Sequence, residues 1–271
     1  MTFLPTIVCV HAHPDDEAFF GGGASAHYAA LGHRLVLITC TSGQLGYDSS
    51  GRAGNVVGHD ALDTKANRAG ELQRSAAMLG FSRIVTLGFD DSGMKGWPEN
   101  DNPNAFMNAS VDAVARTVAS IMDEEDARVV ITYDESGFYG HPDHIQANVV
   151  AQRAVELATS VQRLYYSVVP EGIMTSLVEQ ATAQGLLMPA WVLDAGVHVK
   201  AELVATTLEV GPYVRLKHDA MAAHATQIDN QDLINMDDAL FDLLFGTEYY
   251  QRAWARAATD ADQTDLIGGL S

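Results

Sequence analysis

Hydrophobic and polar positions along the chain sort into two alternating kinds of segment. Short, nearly unbroken runs rich in β-branched residues at Thr6–His13, Leu35–Thr41, Ile84–Phe89, Val129–Tyr133 and Leu164–Val169 predict strands buried on both faces. Helix-length stretches separate them, at Glu17–Leu31, Thr64–Leu79, Ala105–Glu125 and Ile145–Ala158, with Gly32 and Gly80 where a helix closes. Strand, helix, strand repeated in this order requires right-handed crossovers, so the expected fold is α/β, a mostly parallel sheet covered on both faces. After Pro170 the pattern is less regular, and helical stretches around Val214–Ala225 and Ala239–Arg252 predict an extension packed on the core. A single domain over residues 1–271 is expected, with a core of about 170 residues followed by that extension.

Two long connections, Ser42–Asp63 and Asp90–Asn104, are rich in Gly, Asn, Asp and Pro and exceed ordinary turn length, which marks them as functional loops. Both follow strand C-termini, the edge at which open parallel sheets bind ligands. Composition narrows the partners. Lys and Arg number 16 against 35 Asp and Glu, for a formal charge of -19, and no local basic patch offsets it, so nucleic acid and anionic membrane surfaces are repelled. The opening MTFLPTIVCV lacks the basic start and long apolar stretch of a signal peptide, and no run later in the chain approaches a membrane span, which predicts a soluble, cytoplasmic protein. Cys9 and Cys40 sit inside apolar runs and read as small buried hydrophobes.

The chemistry is concentrated where the first and fourth strands end. In Ala12-His13-Pro14-Asp15-Asp16-Glu17, His13 and Asp16 stand three apart across a proline on a turn entering a helix, and the turn can aim both at one point. His144 comes from a second segment, Gly140-His141-Pro142-Asp143-His144, placed in the same way after VVITYD. Two imidazoles and a carboxylate are a common ligand set for catalytic zinc, which keeps a further position open, although such a set also accepts iron, cobalt or manganese. Asp15, beside the candidate ligand Asp16, is placed to act as general base, while His141 as imidazolium and Tyr139 as a hydrogen-bond donor could stabilise an oxyanion. Glu17 could orient a ligand or merely complement a helix dipole. Either His-Pro-Asp segment alone could be no more than a helix start, since Asp caps helices and Pro suits their first turn. Two of them with complementary ligand types at the ends of parallel strands favour a metal centre.

These two motifs resemble those of the PIG-L/LmbE-like zinc-dependent N-deacetylases. Further segments, RAGELQRSAAMLG, LGFDDSGM and HDAMAAHATQI, are similar to the mycothiol branch of that family, so the resemblance runs from about Val8 to Ile228. It implies a Rossmann-like three-layer sandwich, a zinc ion on His13, Asp16 and His144, Asp15 as base, and His141 and Tyr139 at the tetrahedral intermediate. It also implies substrate contacts at Arg68, Asp91 and His224, and a small amino-sugar substrate of the N-acetylglucosamine type. Cleavage of a larger amide in a mycothiol S-conjugate, or of a glycosylated natural product, needs the same centre and differs only in the rim loops. A sugar-binding protein without turnover would need the ligands but not Asp15 and His141. Nucleotide binding would need a glycine fingerprint that Gly21-Gly22-Gly23 does not supply, and close helix packing accounts for that run.

Overall fold

The computed structural model describes residues 4–187, 198–257 and 265–270. Among the described residues seven strands form one sheet, in the order β3-β2-β1-β4-β5-β7-β6. The first five, β1 (Thr6–His11), β2 (Leu35–Thr41), β3 (Arg83–Phe89), β4 (Ala127–Thr132) and β5 (Arg163–Val168), run parallel, as the β-branched runs predict. Two antiparallel strands, β6 (Thr206–Glu209) and β7 (Thr247–Ala255), then extend the sheet beyond β5. One apolar cluster, including Val8, Val10, Val36 and Val130, faces the helices Val111–Glu124 and Pro142–Leu157; Ile7, Cys9, Leu35 and Leu37 point to the other face. The result is the expected α/β sandwich with helices on both faces. Among the described residues no helix is long and apolar enough to cross a membrane.

Several element boundaries differ from the expectation. The strand ends at His11 because Ala12 and His13 turn their N–H groups to the Tyr133 hydroxyl and the Asp16 carboxylate instead of a ladder. The helix expected over Glu17–Leu31 breaks into Asp16–Phe19 and Gly22–Ala30, since Gly21 takes a φ of 108°. Helix formation expected from Ala105 begins only at Val111, after a single 3-10 turn at Phe106–Asn108. The helix expected over Ala239–Arg252 covers only Asp238–Phe245, and from Thr247 the chain is the central antiparallel strand β7, where Tyr250 is buried and pairs across to β5 and β6.

Gly21-Gly22-Gly23 has a further use. The Gly23 and Ala24 N–H groups, at the open end of the helix Gly22–Ala30, both donate to the Glu248 carboxylate at 2.9 Å, so strand β7 supplies the anion that this helix end attracts. Lys217, itself buried, donates to Glu248 at 2.8 Å and to the Phe19 carbonyl at 3.0 Å. Burial works against the Glu248 carboxylate, but Lys217, Tyr250 and the backbone donors outweigh it and hold its pKa below the ordinary 4.5. Removing the ammonium in Lys217→Met leaves a buried charge with backbone and hydroxyl partners only, and is expected to cost about 3–5 kcal/mol at neutral pH. A depressed folded-state pKa gives stability that is complete above the unfolded value of 4.5 and is lost as pH falls through the folded one. Denaturant melts of parent and Lys217→Met should therefore differ most near pH 7 and converge in acid; equal midpoints at pH 7 would show the pair contributes nothing.

Candidate active site

Strand order reverses at β1, which has β2 on one side and β4 on the other, and the loops after β1 and β4 diverge above this switch point. Such a crevice is the usual ligand position in an open α/β sheet. Here the loop after β1 carries His13, Asp15 and Asp16, and the segment after β4 carries Tyr139, His141 and His144. A cleft of about 610 Å³ is lined by His13, Asp15, Asp16, Tyr139 and His141 together with Arg68 and Asp91, while His144 is fully buried.

His13 Nδ1 lies 3.2 Å from His144 Nε2 and 3.5 Å from Asp16 Oδ2, and His144 Nε2 lies 3.4 Å from Asp16 Oδ1. A tetrahedral ion with bonds of about 2.0–2.1 Å to its ligands has edges of about 3.3 Å, so each of these pairwise distances is near that spacing, with His13 and His144 facing different oxygens of Asp16. His141 also joins His13 and His144 in a group whose ligand-type atoms lie within 4.8 Å of one another, and His13, Asp91, His141 and Asp143 form a second such group. Electrostatics fit a cation as well. Burial disfavours charge on His13, yet Asp91, Asp143 and Asp16 override it and push its pKa well above the ordinary value, so the surroundings favour positive charge at this point. Burial drives His144 down to about 3, leaving a neutral ring with a lone pair to give.

The supporting groups are fixed in turn. Asp143, fully buried, faces His13 Nε2 at 3.2 Å, which sets the ring so that Nδ1 turns to the centre. Asp143 itself accepts from the Ser92 N–H at 2.8 Å and from the Ser92 hydroxyl. Asp16 Oδ2 accepts from the Tyr133 hydroxyl and from the His13 N–H at 2.7 Å, while the Tyr133 ring stacks on His144 with centroids 4.1 Å apart. Asp143 and Tyr133 are absent from the sequence-derived site. Asp143 could have been found, because it lies inside His141-Pro142-Asp143-His144 and a metal-binding histidine ordinarily needs a carboxylate or carbonyl on its other nitrogen. Tyr133 carries no such signal.

Asp15 departs most from ordinary backbone, with φ 116° and ψ -30°, a region that a residue with a side chain rarely occupies. Its carboxylate lines the cleft and meets Arg68 at 3.1 Å; Arg68 also donates to the Gly43 carbonyl at 2.9 Å and to the Pro14 carbonyl. Burial raises the Asp15 pKa to about 6, against the pull of Arg68. Its N–H donates to Glu17 Oε2 at 2.9 Å.

His141 caps the helix Pro142–Leu157, and its Nδ1 accepts the Asp143 N–H at 3.1 Å. That assignment leaves the proton on Nε2, and burial lowers the His141 pKa to about 4, so the ring is a neutral donor rather than the expected imidazolium. Tyr139 stands at the rim, half exposed, with its ring 4.9 Å from that of His144. Asp91 lines the cleft 3.7 Å from His13 Nε2 and accepts the Gly93 N–H. His224 is placed differently from the substrate contact the resemblance implies: it is fully buried, outside the cleft lining, and pairs with Glu17 at 2.7 Å. Burial alone would lower the His224 pKa and raise that of Glu17, and their mutual attraction reverses both shifts. In the long loop over residues 42–63, buried Asp48 accepts from the N–H groups of Ser50, Arg52 and Asp60.

Residues 8–155 match the family described as "PIG-L: GlcNAc-PI de-N-acetylase". The chain is 36% identical over 292 residues to a 1D-myo-inositol 2-acetamido-2-deoxy-alpha-D-glucopyranoside deacetylase of Geodermatophilus obscurus, an alignment covering 100% of this chain and 99% of the relative. A protein of the same description from Acidothermus cellulolyticus is 35% identical, with 98% of this chain and 95% of the relative covered. Among solved structures, N,N'-diacetylchitobiose deacetylase from Pyrococcus horikoshii superposes with a TM-score of 0.56 at 16% identity, covering 91% of this chain and 82% of that one. GalB, a 4-carboxy-2-hydroxymuconate hydratase from Pseudomonas putida, superposes with a TM-score of 0.58 at 16% identity, covering 95% of this chain and 99% of that one. A deacetylase and a hydratase on one scaffold show the fold alone, and the chemistry has to be read from the site.

Proposed function

The chain belongs to the PIG-L de-N-acetylase family, and from that premise we propose that it hydrolyses the acetamide of an N-acetylglucosamine-type substrate, with N-acetylglucosaminyl-inositol the first candidate, releasing acetate and a free amine. The observation that carries this reading is the convergence of His13, Asp16 and His144, 3.2–3.5 Å apart, beside the strained Asp15 in an open cleft. Zinc is the proposed ion, one per chain, and iron(II) suits the same donors. Held by His13, Asp16 and His144, such an ion would polarise the acetyl carbonyl and acidify a water molecule.

Everything else in the mechanism is done by the chain's own side chains. Arg68 fixes one Asp15 oxygen, leaving the carboxylate to take the proton of the attacking water and pass it to the departing nitrogen. His141, with Nδ1 occupied by the Asp143 N–H, offers Nε2–H to the oxyanion that develops on the former carbonyl oxygen, and the Tyr139 hydroxyl is a second donor at the rim. The cleft lining favours an uncharged substrate over a phosphorylated one: Asp15, Asp16, Asp91 and Asp229 line it, and its arginine, Arg68, is already paired with Asp15.

The test is amine release by the zinc-loaded protein from N-acetylglucosaminyl-inositol, N-acetylglucosamine and a mycothiol S-conjugate. Turnover of the first well above the other two is the expected result. Turnover of the conjugate alone would make the protein an amidase, and no release from any of the three would remove the proposed activity.

A further inference from the structure

Behind Asp15 lies a pair that the mechanism does not use. Glu17 and His224 are both buried, at 1% and 0% exposure, and 207 positions apart in the chain. Glu17 divides its two oxygens: Oε2 accepts the Asp15 N–H at 2.9 Å and Oε1 meets His224 Nε2 at 2.7 Å. The peptide so held is the one with φ 116°. A left-handed conformation at a residue with a side chain costs on the order of 1–3 kcal/mol and persists only where its surroundings over-determine it.

The surroundings do so from two sides. Arg68, on the helix Ala61–Met78, grips the Asp15 carboxylate and the Pro14 carbonyl. Glu71, one turn further along the same helix, accepts from the Thr226 N–H at 2.8 Å and the Thr226 hydroxyl at 2.9 Å, which fixes the segment carrying His224. His224 itself follows the helix Val214–Ala222, so the C-terminal extension reaches the peptide of the proposed base through one imidazole and one carboxylate. Without the imidazole, Glu17 loses its 2.7 Å partner and keeps the Ser75 hydroxyl and the Asp15 N–H, so the carboxylate is held less firmly against the Asp15 N–H.

We infer that His224 is a positioning residue which, through Glu17, holds the Asp15 peptide in the left-handed conformation that presents the Asp15 carboxylate to the cleft. The inference rests on the reading of Asp15 as proton acceptor. His224 touches neither substrate nor ion, so its loss acts on kcat by misplacing the base and leaves substrate affinity and metal content alone.

A double-mutant cycle with Asp15→Asn separates this role from a structural one. His224→Phe keeps the ring and removes the donor, and is expected to lower kcat about 10²-fold, the scale of a misplaced catalytic group. KM should stay within about twofold, with stoichiometric metal by elemental analysis. His224→Gln, which restores an N–H toward Glu17, should recover most of the rate. In Asp15→Asn protein, adding His224→Phe should cost no more than about threefold further, because the group it positions is already gone. If His224→Phe does not fold, His224→Leu takes its place in the cycle. Equal losses in both backgrounds, or a parental kcat in the single variant, would overturn the inference while leaving the role of Asp15 intact. A parental rate in Asp15→Asn alone would remove the proposed base, and the inference with it.

Discussion

Asp15→Asn protein is expected to fold and bind metal as the parent does while its kcat for amide hydrolysis falls by about 10²–10⁴-fold, the range lost with a positioned general base. Asparagine is the apt replacement for three reasons. It has the shape of aspartate, it tolerates positive φ better than most residues, and its amide oxygen can still accept from Arg68, so the Asp15 backbone at φ 116° and the 3.1 Å contact both have a substitute. The negative charge is removed, and with it the ability to take a proton. Single-turnover rates and metal stoichiometry measured on the same preparation check this, and a kcat within about threefold of the parent would eliminate Asp15 as the base.

As the proposed base, the same carboxylate is expected to set the acid side of the pH profile. Burial raises its pKa to about 6, and a base must be unprotonated to act, so activity rises with pH as Asp15 ionises. A divalent cation beside it favours the ionised form and moves that rise toward lower pH, so the acid limb is expected at or below about pH 6 in the loaded enzyme. The limb should be missing from the residual activity of Asp15→Asn.

The residues of this centre that were legible in the sequence are those whose role depends on a strand end. β-branched runs mark β1 and β4, and the groups that follow them must lie at the mouth of the sheet, so His13, Asp15, Asp16, His141 and His144 could be brought together without coordinates. Groups that act through long-range pairing were not legible. Glu17 could be read only as a dipole or outer-shell residue because its partner, His224, is 207 positions away, and no local pattern distinguishes a histidine that braces a backbone from one that contacts a sugar. Tyr133 read as the last residue of a strand, although its hydroxyl joins Ala12 to Asp16. β7 was hidden for a related reason. Its Tyr249, Tyr250 and Trp254 follow a helix with only Gly246 between, and its identity as a strand comes from pairing with β5 and β6, contacts that no local periodicity encodes.

Loss of the ion is the other large effect, and its size should be graded by distance from the centre. His144→Gln removes an imidazole that is fully buried, stacked on Tyr133 and within 3.2 Å of His13 Nδ1, while keeping most of the side-chain volume. Two of the three proposed ligands remain, so metal affinity should fall by well over the 10–100-fold typical of losing an outer partner, and activity at stoichiometric metal should drop to background. Asp143→Asn alters such an outer partner. Its amide can still meet His13 Nε2 and Ser92, but without the charge that holds the His13 ring in one tautomer, so a loss of about 10–100-fold in affinity is expected, with activity returning in excess metal. Competition against a chelator of known affinity measures both constants, and the parent stripped by the same chelator should regain its rate when zinc is added back. Were His144→Gln to hold one ion as tightly as the parent, the centre would have to lie elsewhere, and the second cluster of His13, Asp91, His141 and Asp143 would be the place to look.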